Sequence, residues 1–498
     1  MKAMKHTLFL IISCPALLAG CSLFSNYERP KELGISVDSL YRDTTDVYAT
    51  INADTTNYGN TPWEQVFTDP HLQTLIRKAL VQNTDMRTAD LTIQQAEAQL
   101  QTSRLAFYPT ISFNPQGNIS SFDFGKATKT YSVPINASWQ IDAFGQLRNT
   151  KKQSQVALEQ YKAVKQATRT SIIASVANMY YTLQMLDEQL KTTEETVKLW
   201  QENVRAMEAM KVGGMTNEAA VAQTKANYYE LLTTVPTLKS NIKQTENSLC
   251  LLLHEAPHPI ERGTFNADAF PKEYATGVPL QLLANRPDVR SAELQLASAF
   301  YGINLAKGAF YPSITLSGSA GWTNNAGVIV NPGKILASAV ASLVQPIFQN
   351  GKLRANLKIS KLQYESAQLQ FEKALLSAGN EVSNALTSYQ AAAQQEVNRK
   401  VEVENLEKAL FHTQQLFKLS TGTTYLETLT AQQSLLQAQL SLISDKFDKV
   451  QAAISLYQAL GGGRETTGET RHTIRHSQYQ ALEDGPETEE GNETTLRN

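Results

Sequence analysis

Two stretches of the chain alternate between apolar and small polar residues with a period of two. The apolar positions are Tyr131, Val133, Ile135 and Trp139 in the first stretch and Ile314, Leu316 and Trp322 in the second. The polar positions between them include Ser132, Asn136, Gln140, Thr315 and Ser317. This period predicts β-strands with one apolar and one polar face, of the roughly 9–11 residues that an outer-membrane strand needs. A fragment of a soluble β-sandwich shows the same alternation.

Each alternating stretch has a less regular neighbour that completes a hairpin. In the first half the neighbour is Thr110–Phe124, which contains Pro115 and Gly117. In the second half it is Leu336–Phe348, which is rich in Ala and Ser and has Pro346 near its end. The sequence therefore predicts four β-strands, in hairpins at about 110–142 and about 313–348.

Long stretches without helix breakers fill most of the remaining chain. Lys352–Leu419 contains no Pro and a single Gly, so it predicts one helix of about 100 Å. The last helix has an apolar seam with steps of mostly three and four residues, at Leu436, Leu440, Ile443, Phe447, Val450, Ile454 and Tyr457. This spacing predicts coiled-coil packing, and an antiparallel helical bundle explains it equally well. Pro236 is expected to interrupt and kink the helix between Glu218 and His254.

The chain repeats itself at about half its length. Three pairs of segments recur in the same order, 203, 206 and 209 residues apart: Phe107-Tyr108-Pro109 with Phe310-Tyr311-Pro312, Gly145–Arg148 with Gly351–Arg354, and Gly213–Gln223 with Gly422–Gln432. The third pair aligns Glu218 with Glu427. Matches in a constant order predict an internal duplication. The first repeat is expected at 69–275 and the second at 276–463, each with a hairpin and a long helix pair that turns at about 211–216 or about 420–424.

The amino terminus has the features of a secretory signal. Lys2 and Lys5 precede the apolar run Leu8–Leu18, which ends in Leu18-Ala19-Gly20-Cys21. Small residues before a cysteine resemble a bacterial lipobox, so residues 1–20 are predicted to be removed and Cys21 to carry lipid. An ordinary signal peptide with an incidental cysteine is the alternative. Residues 21–68 are expected to form an extended lipidated leader, and the polar residues 464–498 a disordered tail.

The charge balance argues against nucleic acid as a partner. The 498 residues carry 45 basic and 47 acidic side chains, which gives a formal net charge of −2. After the signal peptide no run of about 18 apolar residues occurs, which excludes spanning helices but not membrane strands.

One segment matches a zinc-binding pattern in its letters alone. His254-Glu255-Ala256-Pro257-His258 fits H-E-x-x-H, but Pro257 places it at a helix end, where the two histidines do not share a helix face. Cys250 is the one cysteine left after signal removal and acylation of Cys21, and its apolar neighbours predict a buried thiol. The sequence contains no phosphate loop, nucleophile elbow or Cys/His cluster. It therefore predicts no enzyme, no metal site and no cofactor.

Membrane strands in this chain must be shared between several chains. Four strands cannot close a barrel, and lipid does not tolerate open strand edges. Here the chain resembles the TolC-type outer-membrane efflux channels, in the lipoprotein (NodT-like) branch that partners RND pumps. The motifs that carry the resemblance are Leu18–Cys21, the two Phe-Tyr-Pro elements, Trp139–Asp142, Gly145–Arg148, Leu283–Arg290, Gln345–Phe348 with Gly351, Tyr425–Glu427 before Ala431-Gln432, and Ala459–Gly463.

The resemblance implies a mainly α chain with a membrane β-barrel. Three chains are expected to form a homotrimer, in which twelve strands close one barrel on a tunnel of coiled-coil helices. The implied function is the outer-membrane channel of a tripartite efflux system, lipid-anchored in the outer membrane and extending into the periplasm. The implied partners are a periplasmic adaptor protein, an inner-membrane RND pump and outer-membrane lipid. Conduction is then passive and needs no covalent chemistry.

The resemblance and the alternation together assign residues to the channel. The apolar set listed above is expected to face lipid, and the polar set to face the pore. Glu427 matches one of two acidic positions at the periplasmic tip of the family, whereas Thr430 stands at the other. Three copies of Glu427 then form a carboxylate ring that favours cations, to which Glu218 contributes as its repeat partner. Alternatively, Glu427 is a solvated residue stabilised by the amino terminus of its helix.

Two other functions fit part of the pattern. A periplasmic coiled-coil adaptor lipoprotein shares the lipid anchor and the helices, but it should show one hairpin and a β-rich domain instead of a duplicated helix set. A lipid-anchored hydrolase is opposed by the lack of a recognisable nucleophile and base.

Overall fold

The structure is a computed structural model and describes residues 24–30, 58–121, 123–125, 127–267, 270, 286–323, 335–419 and 425–464. The predicted signal peptide, Cys21, most of the leader, the turn at 420–424 and residues 465–498 of the tail lie outside these residues.

Eight α-helices and five strands occur in the described residues. The helices are α1 (Trp63–Val66), α2 (Pro70–Gln82), α3 (Thr84–Leu105), α4 (Gln146–Val212), α5 (Glu218–Leu252), α6 (Pro287–Gly308), α7 (Lys352–Lys418) and α8 (Tyr425–Ala459). The strands are β1 (Thr110–Phe113), β2 (Gln116–Ser120), β3 (Thr128–Ile141), β4 (Ser313–Thr323) and β5 (Ile335–Val344).

The order of the elements repeats, and corresponding helices have equal lengths. Helices α3 and α6 have 22 residues each, α4 and α7 have 67, and α5 and α8 have 35. Helices α3 and α6 end two residues before Phe107 and Phe310, the first residues of the two Phe-Tyr-Pro elements. The long helix predicted from Lys352 is confirmed.

The five strands form one antiparallel sheet in the order β1-β3-β4-β5, and β2 also pairs with β3. The stretch Thr110–Phe124, predicted as one strand, is two short strands instead, because Pro115 cannot donate to the ladder. Both keep the same register on β3: Phe113 lies opposite Ile135 and Gln116 opposite Ser132. The described residues thus form five strands at the four predicted places. β5 ends at Val344, two residues before Pro346.

The interruption predicted at Pro236 is wrong, whereas the kink predicted there stays a prediction. Helix α5 continues through Pro236 from Glu218 to Leu252. Proline removes the hydrogen bond to the carbonyl group four residues earlier, that of Leu232. Pro236 and Leu232 both lie on the exposed face of α5, where water can satisfy this carbonyl group.

The chain divides into two compact units, each built from parts of both sequence halves. Unit 1 comprises residues 1–52, 81–168 and 278–384, and it contains the whole sheet. Unit 2 comprises residues 53–80, 169–277 and 385–498.

The core of unit 1 lies between α6 and α7. Its buried residues are Val289, Leu296, Ala367, Phe371, Leu375 and Ala378, at the three-, four- and seven-residue spacings of packed helices. Residues 24–30 lie along α6: the Ser25 carbonyl accepts a hydrogen bond from Asn304 at 3.2 Å, and Arg29 holds Glu293 with two bonds of 2.7 and 2.6 Å.

In unit 2 the core contains large aromatic side chains. Trp63, Phe67, Tyr180 and Tyr457 are fully buried, and Phe67 makes an edge contact with Tyr457. Four residues of the predicted α8 seam are buried here: Ile443, Val450, Ile454 and Tyr457.

Candidate functional site: strand faces and helical turns

The register of β3 and β4 separates the apolar and polar side chains into two faces. Residues directly opposite each other share a face. Val133 lies opposite Trp322, and Trp139 opposite Leu316, so the predicted lipid-facing residues of both strands share one face. On the other face, Gln140 lies opposite Thr315 and Asn136 opposite Ser319. The structure therefore brings each predicted set together: Tyr131, Val133, Ile135, Trp139, Ile314, Leu316 and Trp322 on the first face, and Ser132, Asn136, Gln140, Thr315 and Ser317 on the second.

The flanking strands extend the apolar face. Ile111 and Phe113 of β1 join it opposite Ala137 and Ile135, and Leu343 of β5 joins it opposite Ile314. These three side chains are exposed. β5 is less regular, because Val340 lies opposite Ser317 and so belongs to the polar face.

The turn after α4 is a compact helix end. The Met215 N–H donates to the Met210 carbonyl at 2.9 Å, and the Gly214 N–H donates to the Lys211 carbonyl at 3.0 Å. Gly214 has a φ of +71°, which is the left-handed conformation that this type of cap requires. Asn217 then caps α5, because its side chain accepts from the Ala220 N–H at 3.0 Å.

Glu218 lies directly after this turn and forms an ion pair with Lys211 across it. Both side chains are exposed. The hydrogen bond and positive charge of Lys211 lower the pKa of Glu218 below its usual range. A second ion pair, Lys225 with Glu208 at 2.6 Å, joins α5 to α4 nearby.

Glu427 and Thr430 are both exposed in the first turns of α8, whereas Thr428 and Leu429 between them are buried. The Thr430 hydroxyl donates to the Leu426 carbonyl at 2.9 Å. Glu427 is the third residue of its helix, where the helix dipole favours a carboxylate.

The structure changes the alignment of Glu218 with Glu427. Helices α5 and α8 start 207 residues apart (425 minus 218), and their left-handed caps, His254 and Gly461, are also 207 residues apart (461 minus 254). By position in the helix, Glu218 therefore corresponds to Tyr425. The sequence offset of 209 residues matches residues of similar type that lie at different positions in α5 and α8, because the turns before the two helices differ in length.

The H-E-x-x-H segment lies at a helix end, as the sequence predicts. Helix α5 ends at Leu252, and His254 has a φ of +58°. Glu255 forms ion pairs with Lys78 and with His258, the latter at 3.1 Å. Across the described residues, no cluster of His, Cys, Asp and Glu has an arrangement that could hold a metal ion. Cys250 is a buried free thiol.

Sequence reasoning missed several ionic clusters with buried members, three of which involve α7. In unit 1, Arg286 donates to Asp288 at 3.0 and 2.7 Å and to Glu381 at 2.6 Å. The only sequence signal for this cluster was the Arg-Pro-Asp element, whose partner on α7 is 95 residues away in the chain.

The other two clusters join α7 to α8 in unit 2. Glu396 is 5% exposed and lies 2.7 Å from both Lys400 and Lys449, and Arg399 lies 3.1 Å from Asp445. Burial would raise the pKa of Glu396, but the two lysines lower it below its usual range.

None of the helices in the described part of the chain is apolar over a length sufficient to span a bilayer. A family model described as outer membrane efflux protein matches residues 75–254 and 278–462. The chain belongs to the outer membrane efflux protein family.

Relatives of this family member match over nearly their whole length. The chain is 30% identical to the cation efflux system protein CusC of Escherichia coli K12, covering 91% of this chain and 99% of the relative. It is also 30% identical to the probable efflux pump outer membrane protein TtgC of Pseudomonas putida KT2440, covering 94% and 98%. The solved structure of the MtrE outer membrane channel of Neisseria gonorrhoeae, in its open state, matches with a TM-score of 0.78 at 25% identity, covering 89% and 98%.

These comparisons confirm the resemblance to TolC-type channels. This family member is the outer-membrane channel component of an efflux system, and its location is the outer membrane. The match to channel proteins over the whole duplicated region does not favour the adaptor alternative.

Proposed function

We propose that the chain works as a homotrimer whose sheets join into one twelve-stranded membrane barrel. The observation that carries this proposal is the separation of the two faces of the sheet. One face is apolar and exposed across β1, β3, β4 and the amino- and carboxyl-terminal ends of β5, and the other is mostly small and polar. Within the described residues, β1 and β2 form one edge of the sheet and β5 forms the other, and such edges must be paired in lipid. Strands of neighbouring copies pair them.

The apolar face then contacts outer-membrane lipid, and the polar face lines the pore. Tyr131, Ile135 and Trp139 face the lipid, while Ser132, Asn136 and Gln140 face the water. The long helices continue as a tunnel through the periplasm, towards an adaptor protein and an inner-membrane RND pump. Conduction is passive, because the pump supplies the energy, and the chain carries out no covalent chemistry.

Lipid on Cys21 anchors the amino terminus of each chain. Cys21 lies three residues before Phe24 in the sequence. Phe24 makes an edge contact with Tyr311, two residues before β4 begins. Stable anchoring takes more than one acyl chain, because a single chain binds membranes only marginally.

Glu427 forms the selective ring at the periplasmic tip of the tunnel. Its exposed carboxylate near the start of α8 supports this role, and three copies in a trimer attract cations and repel anions. Thr430 lies one helical turn away, at the second of the two positions that are acidic in the family, and it adds no charge to the constriction. Glu218 contributes less, because Lys211 neutralises it and because its place in α5 corresponds to Tyr425 in α8.

Heat-modifiable trimer bands in a purified outer-membrane fraction test this assembly. The native protein should migrate as a trimer without boiling and as a monomer after boiling, and a lysine-directed cross-linker should trap up to three chains. A monomer at all cross-linker concentrations, or recovery of the chain from another fraction, contradicts the proposal.

A further inference from the structure

Four helices meet the sheet of unit 1 at the same end. The register places the last residue of β3 and the last of β5 beside the start of β4, since Ile141 lies opposite Ile314 and Ser313 opposite Val344. Helices α3 and α6 end five residues before β1 and β4 begin. Helices α4 and α7 begin five and eight residues after β3 and β5 end. We call this edge the helical end of the sheet.

Basic residues concentrate at the helical end. They lie in the last turns of α3 and α6 and in the first two turns of α4 and α7, and we call them the basic belt: Arg104, Arg148, Lys151, Lys152, Lys307, Lys352, Arg354 and Lys358. The same segments and the strand ends beside them (98–113, 138–152, 301–316 and 341–358) contain one acidic residue, Asp142. The helical end therefore has a strong local positive charge in a chain whose net charge is close to zero.

The carboxylate of Asp142, the one acidic residue in these segments, already has hydrogen-bond and ion-pair partners. Asp142 accepts hydrogen bonds from the Leu147 and Arg148 backbone N–H groups at 2.9 and 3.0 Å, and it pairs with the Arg148 side chain at 3.0 Å. No other member of the basic belt forms an ion pair within the described residues. Arg104, Lys307, Lys352 and Arg354 are exposed.

Helix stability does not explain the cations of α4 and α7. A helix dipole favours anions in the first turn and cations in the last. Helices α5, α6 and α8 follow this rule and have Glu218, Asp288 and Glu427 in their first turns. The first turns of α4 and α7 contain no acidic residue, and cations are present there against the dipole. At α4 the Asp142 carboxylate offsets this cost. At α7 the first turn holds no such carboxylate, and an external anion would offset the cost there.

Large apolar side chains are exposed beside the basic belt. Ile347 and Phe348, between β5 and α7, are 96% and 81% exposed, and Tyr108, between α3 and β1, is also exposed. They are close along the chain to the apolar face of the sheet, which ends with Leu343 and Ile111. Aromatic and aliphatic groups next to Lys and Arg are typical of the boundary between lipid tails and headgroups.

We propose that the basic belt binds the phosphate groups of anionic phospholipids in the leaflet at the helical end of the sheet. The proposal rests on the proposed function, in which the apolar face of the sheet crosses the outer membrane. Cations within a Debye length of a membrane surface are attracted to anionic lipids. The belt then sets the depth of the strands, because four helix ends are held at the headgroups.

Spin-labelled lipids measure this binding directly. The lipidated full-length protein is reconstituted into phosphatidylcholine vesicles containing a trace of spin-labelled phosphatidylglycerol or spin-labelled phosphatidylcholine. The motionally restricted fraction should show a preference for phosphatidylglycerol of about threefold or more at low salt, and molar sodium chloride should abolish it.

Three variants show which residues cause the preference for phosphatidylglycerol. The belt variant R104Q/K307Q/K352Q/R354Q removes half of the positive charges of the belt and should lose most of the preference. The control variant K191Q/K198Q/K243Q/K408Q removes the same charge from exposed lysines of unit 2 that form no ion pair in the described residues, and it should keep the preference. R104K/K307R/K352R/R354K retains the charges and should also keep it, which separates charge from damage to the fold.

Several outcomes overturn the proposal. A belt variant that keeps the preference, or a control variant that loses as much, removes the belt as the cause. Displacement of the labelled phosphatidylglycerol by millimolar inorganic phosphate identifies a free anion site instead of a lipid site. Vesicles that conduct ions but show no lipid preference reject the belt and leave the channel intact. A wild-type protein that does not insert into vesicles rejects the proposed function as well.

Discussion

Ile135 of β3 lies directly opposite Ala320 of β4, and its side chain is 54% exposed. The next residue, Asn136, lies opposite Ser319 on the other face of the sheet. A slip of one residue would exchange the two faces completely. These two neighbours therefore provide a matched pair for testing which face meets lipid.

Replacing Ile135 with Arg should destabilise the channel, and replacing Asn136 with Arg should not. A lipid-facing Arg costs about 2–4 kcal/mol near mid-membrane, whereas a pore-facing Arg stays in water. The measurement is the free energy of unfolding of the reconstituted protein in denaturant. Equal losses in the two variants contradict the assignment of the faces.

Replacing Glu427 with Gln should weaken cation selectivity and block by trivalent cations, because it removes one ring of three carboxylates. Thr430→Asp should have the opposite effect, since it adds a second ring one helical turn away. The double variant K211Q/E218Q is the control, because it removes an ion pair and leaves the net charge unchanged, so it should affect both properties much less than E427Q. The measurement is the reversal potential across a planar bilayer in a salt gradient. If E427Q and T430D both behave as wild type, Glu427 is only a solvated residue at a helix start.

Arg286→Gln should destabilise unit 1 by about 1–3 kcal/mol, because Arg286 is 6% exposed and holds two carboxylates. This is less than for a fully buried pair, since Asp288 and Glu381 are about half exposed and regain water. Chemical denaturation at neutral pH gives the difference. An unchanged free energy of unfolding would show that the cluster contributes no net stability.

The same variant should lose its difference from wild type in acid. Burial raises the pKa of Asp288, but the hydrogen bond and charge of Arg286 outweigh it, so the pKa lies below its usual range. A carboxyl group with a lowered pKa stabilises the fold above its unfolded pKa of about 3.9, and this stabilisation disappears as the pH falls through the folded pKa. The wild-type advantage should therefore be constant near neutral pH and shrink below about pH 4. An advantage that grows on acidification contradicts this account.

Gly462→Ala should destabilise unit 2 by about 1–3 kcal/mol through overpacking. A Cβ atom at Gly462 would lie 2.4 Å from the Tyr457 ring. That ring cannot move freely, because its hydroxyl donates to the Thr61 carbonyl at 2.9 Å and accepts from the Gly463 N–H at 2.8 Å. Gly213→Ala is the control, since its Cβ would meet its neighbours no closer than 3.5 Å. Thermal unfolding followed by circular dichroism should separate the two, and equal melting temperatures contradict the packing argument.

Cys21→Ser should abolish incorporation of labelled palmitate, because the lipobox places the acylated thiol at this position. Cys14→Ser is the control, since Cys14 is removed with the signal peptide, and it should label as wild type. Metabolic labelling followed by immunoprecipitation decides the question. Equal labelling of wild type and Cys21→Ser excludes lipidation at this cysteine.

Period-two alternation and long uninterrupted helices were readable from the sequence because they are local patterns. The alternation from Tyr131 to Ile141 is enough to define two faces, and the lack of breakers after Lys352 is enough to define a 67-residue helix. The division of the first partner strand at Pro115 was not predicted, although its physical cause was visible.

Other features depend on contacts between distant segments. Arg286 meets Glu381, and Glu396 meets Lys449, through helix packing that no local spacing reveals. The correspondence of Glu218 with Tyr425 became visible only when both ends of α5 and α8 were known. Pro236 shows that a local signal can also mislead. The low helix propensity of proline predicted an interruption, but the 35-residue helix α5 continues through Pro236.

Single-channel recording tests the central claim most directly. Purified, lipidated full-length protein is added to a planar bilayer, and its insertion is verified by recovering the protein with the membrane. The account predicts discrete, stable conductance steps that favour cations and that N136R alters while the protein still inserts. Bilayers that contain the inserted wild-type protein and show no conductance steps would contradict the assignment of this chain as a channel.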